Sequence, residues 1–190
     1  MKAPDATTGL TPLHEAQRIV LDAATSLGLE KISILDTLGR VLGEDIIAER
    51  HNPPWDNSAM DGFAVRAEDI QQEHTISKPV TLTVIEDVPA GKMPTKSVGR
   101  GQAIRIMTGA PIPKGADTVL KVEDTEHTPD SVRVFKPEPR GSNIRPQGED
   151  VKKGDCIIPK GTTIRSGEAG MLAILAKSFV LVYQRPRVAI

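Results

Sequence analysis

The stretch NPPWDNSAMDGFAV, residues 52–65, marks the point at which the pattern of the chain changes. Its prolines restrict the backbone at the entry, Gly62 permits a positive φ or a close approach, and Phe63–Arg66 is the first candidate strand. From there to about Asn143, short apolar runs alternate with turn residues, and Val80–Val84 has the period of a half-buried strand. This spacing predicts a small β-barrel or sandwich over residues 52–148.

The sequence before this stretch predicts a helix and short strands. Apolar residues recur at helical spacing from Leu13 to Leu27, with Thr11 as the expected cap, Pro12 in the first turn and Gly28 at the end. Strands are expected over residues 31–35 and 45–48, with a short helix over residues 36–42 between them.

Beyond Gly148 the pattern changes again. A strand is predicted around Cys156–Ile158, a helix from Ser166, as its cap, to about Ala176, and further strands over residues 180–183 and from Val188. The expected fold class is therefore α+β and mostly β: a β-rich region, an inserted small β-barrel or sandwich domain, and two main helices.

Composition excludes several classes of function. The formal net charge of −1 gives no electrostatic case for nucleic acid as the main partner. No apolar run is long enough to span a bilayer, and residues 1–9 lack the apolar core of a secretory signal, so we expect a cytoplasmic protein without a membrane partner. Scattered histidines and one cysteine make zinc improbable, and the apolar neighbours of Cys156 predict a buried thiol.

Three polar segments stand out from the scaffold. The first, residues 53–65, gathers two carboxylates, an amide and a hydroxyl in one loop. The second is RIMTGAPIPKGAD, residues 105–117, where backbone N–H groups around Gly109 and the Thr108 hydroxyl could meet an anion. Judged singly, each is better explained as a stiff turn that only satisfies its own backbone donors than as a binding site.

The third segment is GSNIRPQGED, residues 141–150, which mixes a guanidinium with carboxylates among glycines. Arg145 could hold an oxygen of a phosphate or another oxyanion, and Asp150 could ligate Mg²⁺. The alternative is a surface ion pair worth less than about 1 kcal/mol.

Taken together and in this order, NSAMDG (57–62), RIMTGAP (105–111) and NIRPQGED (143–150) resemble the signature stretches of molybdopterin molybdotransferases, the family that includes the gephyrin E domain. The resemblance covers almost the whole chain but only the N-terminal part of the family. It implies an enzyme of molybdenum cofactor biosynthesis that inserts molybdate into adenylylated molybdopterin, with a divalent cation such as Mg²⁺, and releases AMP.

The resemblance also implies a layout. Residues 1–28 would be a helix packing on a pterin-binding domain outside this chain. Residues 29–51 with 149–185 would form an elongated dimerisation domain, 52–148 the inserted β-rich domain, and 186–190 the first strand of the pterin-binding domain. The family acts as a homodimer with a shared cleft, so this chain would hold one wall of it and would be inactive alone.

The family's functional residues map onto four positions of the three segments. The resemblance implies catalytic roles for Asp61, Thr108, Arg145 and Asp150, with Asp61 and Asp150 holding Mg²⁺ and Thr108 and Arg145 contacting oxyanions. Ser58 and Gly109 are expected to contact the cofactor, so the loop around them would belong to the site.

Two other hypotheses stay open at this point. One is a non-catalytic dimerisation or scaffold module of the same family. The other is a stand-alone β-domain that binds a small anion, which titration with molybdate or tungstate would detect.

Overall fold

The computed structural model describes residues 11–71 and 78–189, and the chain divides into two compact units, Met1–Ile46 with Cys156–Ile190 and Ile47–Asp155. The described residues contain two α-helices, α1 (Leu13–Ala23) and α2 (Ser166–Ile174). The strands are β1 (Leu29–Ser33), β2 (Ile46–Ile47), β3 (Asn57–Ser58), β4 (Gly62–Val65), β5 (Val80–Val88), β6 (Gln102–Ile106), β7 (Thr118–Lys121), β8 (Thr125–His127), β9 (Ser131–Val134), β10 (Ile144–Arg145), β11 (Cys156–Ile158) and β12 (Phe179–Tyr183).

The unit Ile47–Asp155 is built on a six-stranded sheet of order β7-β4-β6-β5-β9-β8. Its pairs are antiparallel apart from β5 and β6, which run parallel. Strands β7 and β8 stand at opposite ends of this order, yet only the three residues Val122–Asp124 connect them. Such a connection spans at most about 14 Å, so the sheet must curl until its two edges approach. The ring of His127 on β8 lies against Phe63 on β4, with 5.3 Å between centroids.

Both faces of the central strands are buried. One face carries a cluster of Phe63, Val65, Ile70, Leu82, Ala103, Leu120, Val132 and Val134. The other carries Ala64, Val88, Val98, Ile104, Ile106, Ala110 and Val119, with Ile112 and Ile144 packed against it. Because Ala110, Ile112 and Ile144 belong to the second and third polar segments, this second core fixes those segments against the sheet.

The other unit contains the antiparallel pair β1 and β12, in the register Leu29↔Tyr183 to Ser33↔Phe179. Arg40 joins the two strands, since its guanidinium bonds Glu30 and donates to the Tyr183 carbonyl at 2.8 Å. Helix α1 has no buried residue among its eleven, so its apolar stripe is left uncovered by the described part of the chain.

The mostly β fold class with two main helices is confirmed, whereas several local predictions are corrected. Pro12, not Thr11, occupies the cap of α1, and its carbonyl accepts from Glu15 and Ala16. The helix ends at Ala23, well before Gly28, because Ala24 is already extended. The expected helix over residues 36–42 is a 3₁₀ turn at Ile34–Asp36, and Gly39, with φ of +75°, ends any continuation.

Three corrections fall near the end of the chain. Ser166 is the first residue of α2 rather than its cap; the cap is Arg165, whose backbone N–H donates to the Glu168 carboxylate at 2.9 Å. Cys156 is exposed, not buried: it is the first residue of β11, and burial increases along this strand from Cys156 to Ile158. The strand expected from Val188 is absent within residues 184–189. Residues 1–10 and 190, which belong to the predicted terminal elements, lie outside the described residues.

Candidate functional site

The three polar segments meet at Ser58. Strand β3 pairs with β10 of the third segment, in the register Ser58↔Ile144 and Asn57↔Arg145. On its other side, the Ser58 N–H donates to the Ala110 carbonyl at 3.0 Å, and the Gly109 N–H donates to the Ser58 carbonyl at 2.8 Å. Two residues of the first segment therefore bind the second and the third together.

Ser58 itself is fully buried. Its hydroxyl donates to the Met60 carbonyl at 2.5 Å and accepts from the Met60 N–H at 3.3 Å. With both roles of the hydroxyl used inside the loop, Ser58 shapes the turn that leads to Asp61. The sequence suggested that Ser58 contacts a cofactor directly, but Ser58 has no exposed atom to make that contact.

Asp61 and Thr108 form the exposed centre of the site. One carboxylate oxygen of Asp61, Oδ1, accepts both the backbone N–H and the hydroxyl of Thr108, each at 2.7 Å. The backbone bond first, then the hydroxyl bond, lower the pKa of the Asp61 carboxyl below its ordinary value; the charge of Arg105 adds to this and desolvation opposes it. Asp61 is thus an ionised acceptor with its second oxygen available.

This arrangement changes the expected role of Thr108. Its hydroxyl hydrogen is donated to Asp61, so the oxygen turns lone pairs, not a hydrogen, to a ligand. The backbone donors nearby are also used, since the Gly109 N–H bonds Ser58 and the Ala110 N–H bonds Met107. The sequence suggested an anion cradle at this turn, but no N–H group of residues 108–110 is left to form one.

Arg145 lies on β10, in the third segment. Its side chain is exposed and makes no hydrogen bond or ion pair with residues 11–71 or 78–189. The backbone beneath it is held firmly: the Gln147 N–H donates to Asp56 Oδ1 at 2.7 Å, and the Gln147 side-chain amide donates to the Pro54 carbonyl at 2.6 Å. A free guanidinium on a fixed strand can bind a phosphate or oxyanion in a fork.

Asp150 is not joined to this centre by any hydrogen bond within the described part of the chain. Its N–H donates to the Asn52 carbonyl at 3.0 Å, and its Oδ2 accepts from the Asn52 amide at 3.4 Å. No group of three or more His, Cys, Asp or Glu side chains that could hold a metal occurs among residues 11–71 and 78–189. No contact in the described part of the chain therefore supports the prediction that Asp61 and Asp150 hold the same cation.

The donors present still fit one side of a Mg²⁺ site. Mg²⁺ is commonly held by one or two carboxylates, with waters and substrate phosphates completing its octahedron. The ionised Asp61 oxygen and the lone pairs of the Thr108 hydroxyl are suitable ligands. The chain supplies oxygen donors there and leaves the remaining positions to water or substrate.

Two residues of the site were missed in the sequence. Arg105, on β6, pairs with Asp87 at 3.5 Å and adds positive charge near Asp61. Asn143 adopts φ of +58°, and its side-chain amide donates to the Val119 carbonyl at 2.8 Å. The residue type of Asn143 could have indicated this conformation, because Asn tolerates the left-handed region better than other side chains do.

The family model described as "MoeA N-terminal region (domain I and II)" matches residues 11–176. The chain belongs to this family. It is 39% identical over 183 residues to a molybdopterin molybdenumtransferase of Bacillus subtilis strain 168, covering 94% of this chain and 42% of the relative. It is 38% identical over 178 residues to molybdopterin molybdenumtransferase 2 of Mycobacterium tuberculosis strain H37Rv, covering 94% of this chain and 44% of that protein.

A solved structure agrees with the family assignment. The molybdopterin biosynthesis MoeA protein of Pyrococcus horikoshii OT3 matches with a TM-score of 0.86 and 42% identity, over 93% of this chain and 47% of that one. The chain thus spans less than half the length of each of these three proteins. The recognition made on the three segments is confirmed. Among the described residues, no helix has the length and apolarity that a membrane crossing needs.

Proposed function

We propose that this chain is the N-terminal portion of a molybdopterin molybdotransferase of molybdenum cofactor biosynthesis. It would provide one wall of a cleft in which molybdate is inserted into adenylylated molybdopterin with release of AMP. The observation that carries the proposal is the exposed Asp61–Thr108 pair at the point where all three family segments converge. The names of the relatives supply the substrate.

Asp61 and Thr108 offer lone pairs whereas Arg145 offers hydrogen-bond donors, so the two parts of the site would have separate tasks. Asp61 and Thr108 present oxygen lone pairs and would hold a divalent cation or orient a water. Arg145 would hold an oxyanion, either the phosphate of the nucleotide or molybdate. A bound Mg²⁺ would neutralise charge on the phosphoryl oxygens as AMP leaves.

The remaining expectations of the family layout are part of the same proposal. Residues 29–51 with 149–185 would form the dimerisation domain of a cytoplasmic homodimer, and 52–148 the inserted domain. Residues 1–28 would pack on the pterin-binding domain through the exposed stripe of α1, and the strand expected at 186–190 would form only within that domain. The second wall of the cleft lies outside this chain, so we expect the isolated chain to be inactive.

The test uses the full-length protein in a strain that lacks its own molybdotransferase. Asp61→Asn and Thr108→Ala should each abolish or strongly reduce molybdenum insertion while the dimer mass stays unchanged. Thr108→Ser is the matched control, because it keeps the hydroxyl that Asp61 accepts, and it should retain most activity. Full activity of Asp61→Asn would refute the catalytic role and favour a non-catalytic dimerisation module.

A further inference from the structure

Trp55, the one tryptophan of the sequence, is 42% exposed beside the site. The backbone on both sides of it is held in place. The Asp56 carbonyl accepts from the Ile112 N–H at 2.9 Å and the Asp56 carboxylate from the Gln147 N–H at 2.7 Å, while the Pro54 carbonyl accepts from the Gln147 amide at 2.6 Å. A large flat ring is therefore presented to solvent from a rigid support.

The guanidinium of Arg145 is carried by the segment that pairs with the one carrying Trp55. Arg145 pairs with Asn57 in an antiparallel register, and a bond of 3.0 Å from the Gly148 N–H to the Pro53 carbonyl shows that the segments stay together beyond it. Between these two contacts, Gln147 bonds Asp56 and Pro54, the two sequence neighbours of Trp55. An exposed aromatic side chain and a cation that is unpaired within the described part of the chain are thus carried by two segments bonded to each other on both sides of Trp55.

We propose that Trp55 stacks on the purine of a nucleotide whose phosphate is held by Arg145. The inference rests on the proposed function, in which the substrate carries an adenylyl group and AMP is released. Purines have an apolar face suited to an indole, and their phosphate suits a guanidinium. Since the family layout assigns the pterin to a domain outside this chain, the ring that meets Trp55 is the adenine. Trp55 is then a binding residue and not a group that moves protons.

The experiment compares two ligands that differ in the base. AMP and ribose 5-phosphate are titrated into the 190-residue chain, with the Trp55 fluorescence and calorimetry as readouts. AMP should quench the indole emission and ribose 5-phosphate should not. Trp55→Ala should weaken AMP by about 5- to 150-fold, the usual range for loss of one stacked base, and leave ribose 5-phosphate unchanged. Trp55→Phe should retain most of the AMP affinity, and Arg145→Gln should weaken both ligands.

Three results would overturn the inference: no change in emission with AMP, an AMP affinity that is unaffected by Trp55→Ala, or equal losses for both ligands, which would indicate a structural role only. Failure here is separable from failure of the proposed function. If Asp61→Asn abolishes molybdenum insertion while Trp55→Ala leaves the AMP affinity unchanged, the stacking inference alone fails. If AMP stacks on Trp55 while Asp61→Asn keeps full insertion activity, the catalytic proposal alone fails.

Discussion

Replacement of Asn143 should destabilise the unit that carries the site, by an amount that depends on two separable properties of the residue. Strand β7 offers its outer edge to the third segment: the Val119 N–H donates to the Ser142 carbonyl at 3.0 Å, and the Val119 carbonyl accepts from the Asn143 amide at 2.8 Å. The Asn143 side chain thus replaces the N–H of a neighbouring strand. Its backbone meanwhile holds φ at +58°.

The magnitudes follow from these two roles. Asn143→Gly keeps the left-handed backbone but leaves the Val119 carbonyl without its donor, at a cost of about 1–2 kcal/mol. Asn143→Ala loses the same hydrogen bond and, unlike the glycine variant, keeps a Cβ in the left-handed region without the polar side chain by which Asn tolerates it, which costs roughly 1–2 kcal/mol more than glycine. The alanine variant should therefore be less stable than the glycine variant by about 1 kcal/mol after the greater chain entropy of glycine is counted.

Urea unfolding followed by tryptophan emission measures this difference in the correct unit, because Trp55 lies within Ile47–Asp155. Circular dichroism would average both units and is the less suitable probe. Equal stability of the alanine and glycine variants would show that the left-handed backbone contributes nothing. A glycine variant as stable as the parent would refute the role of the Val119 hydrogen bond.

Three further predictions concern pH, steric space and exposure. The folded pKa of Asp61 lies below the ordinary carboxyl value, so its contribution to stability is present above that value and lost as pH falls through the folded pKa; unfolding over an acidic pH series should show a smaller loss in Asp61→Asn. Gly62→Ala would put a Cβ 1.7 Å from the Leu120 carbonyl and should cost about 3 kcal/mol or more, whereas Gly167→Ala, which meets open space on α2, should stabilise the protein by about 0.5–1 kcal/mol; thermal unfolding of both checks this contrast. Cys156 should react with a thiol reagent in the native protein as fast as in urea, and protection in the native state would contradict its exposure.

The sequence predicted the strands of the inserted region well because their signals are local. Alternation in Val80–Val84, within β5, and the turn residues around each strand depend on neighbours a few positions away. Element ends were less well predicted, as at α1, where the apolar pattern runs to Leu27 but the helix ends at Ala23. No residue of that helix is buried by the described part of the chain, so the periodicity alone does not extend it.

The sequence placed Asp61 and Thr108 in one candidate site but did not predict how they are hydrogen-bonded. The family segments named Asp61 and Thr108 together, but the direction of their bond depends on a contact 47 residues apart in sequence. The same applies to Gly109, whose N–H reaches the Ser58 carbonyl in another segment. Which donors remain for a ligand is a question about the folded chain, since every local donor looks available in the sequence.

The third segment covers the outer edge of β7, and this affects how the protein behaves in solution. A strand at the end of a sheet normally presents unpaired N–H and C=O groups to which another chain can add. Here the backbone of Val119 is occupied by Ser142 and Asn143, in the same segment that carries Arg145. The loop that carries Arg145 thereby also covers a strand edge to which another chain could add. Variants that loosen this loop would be expected to aggregate before they lose their fold, which sets a limit on its redesign.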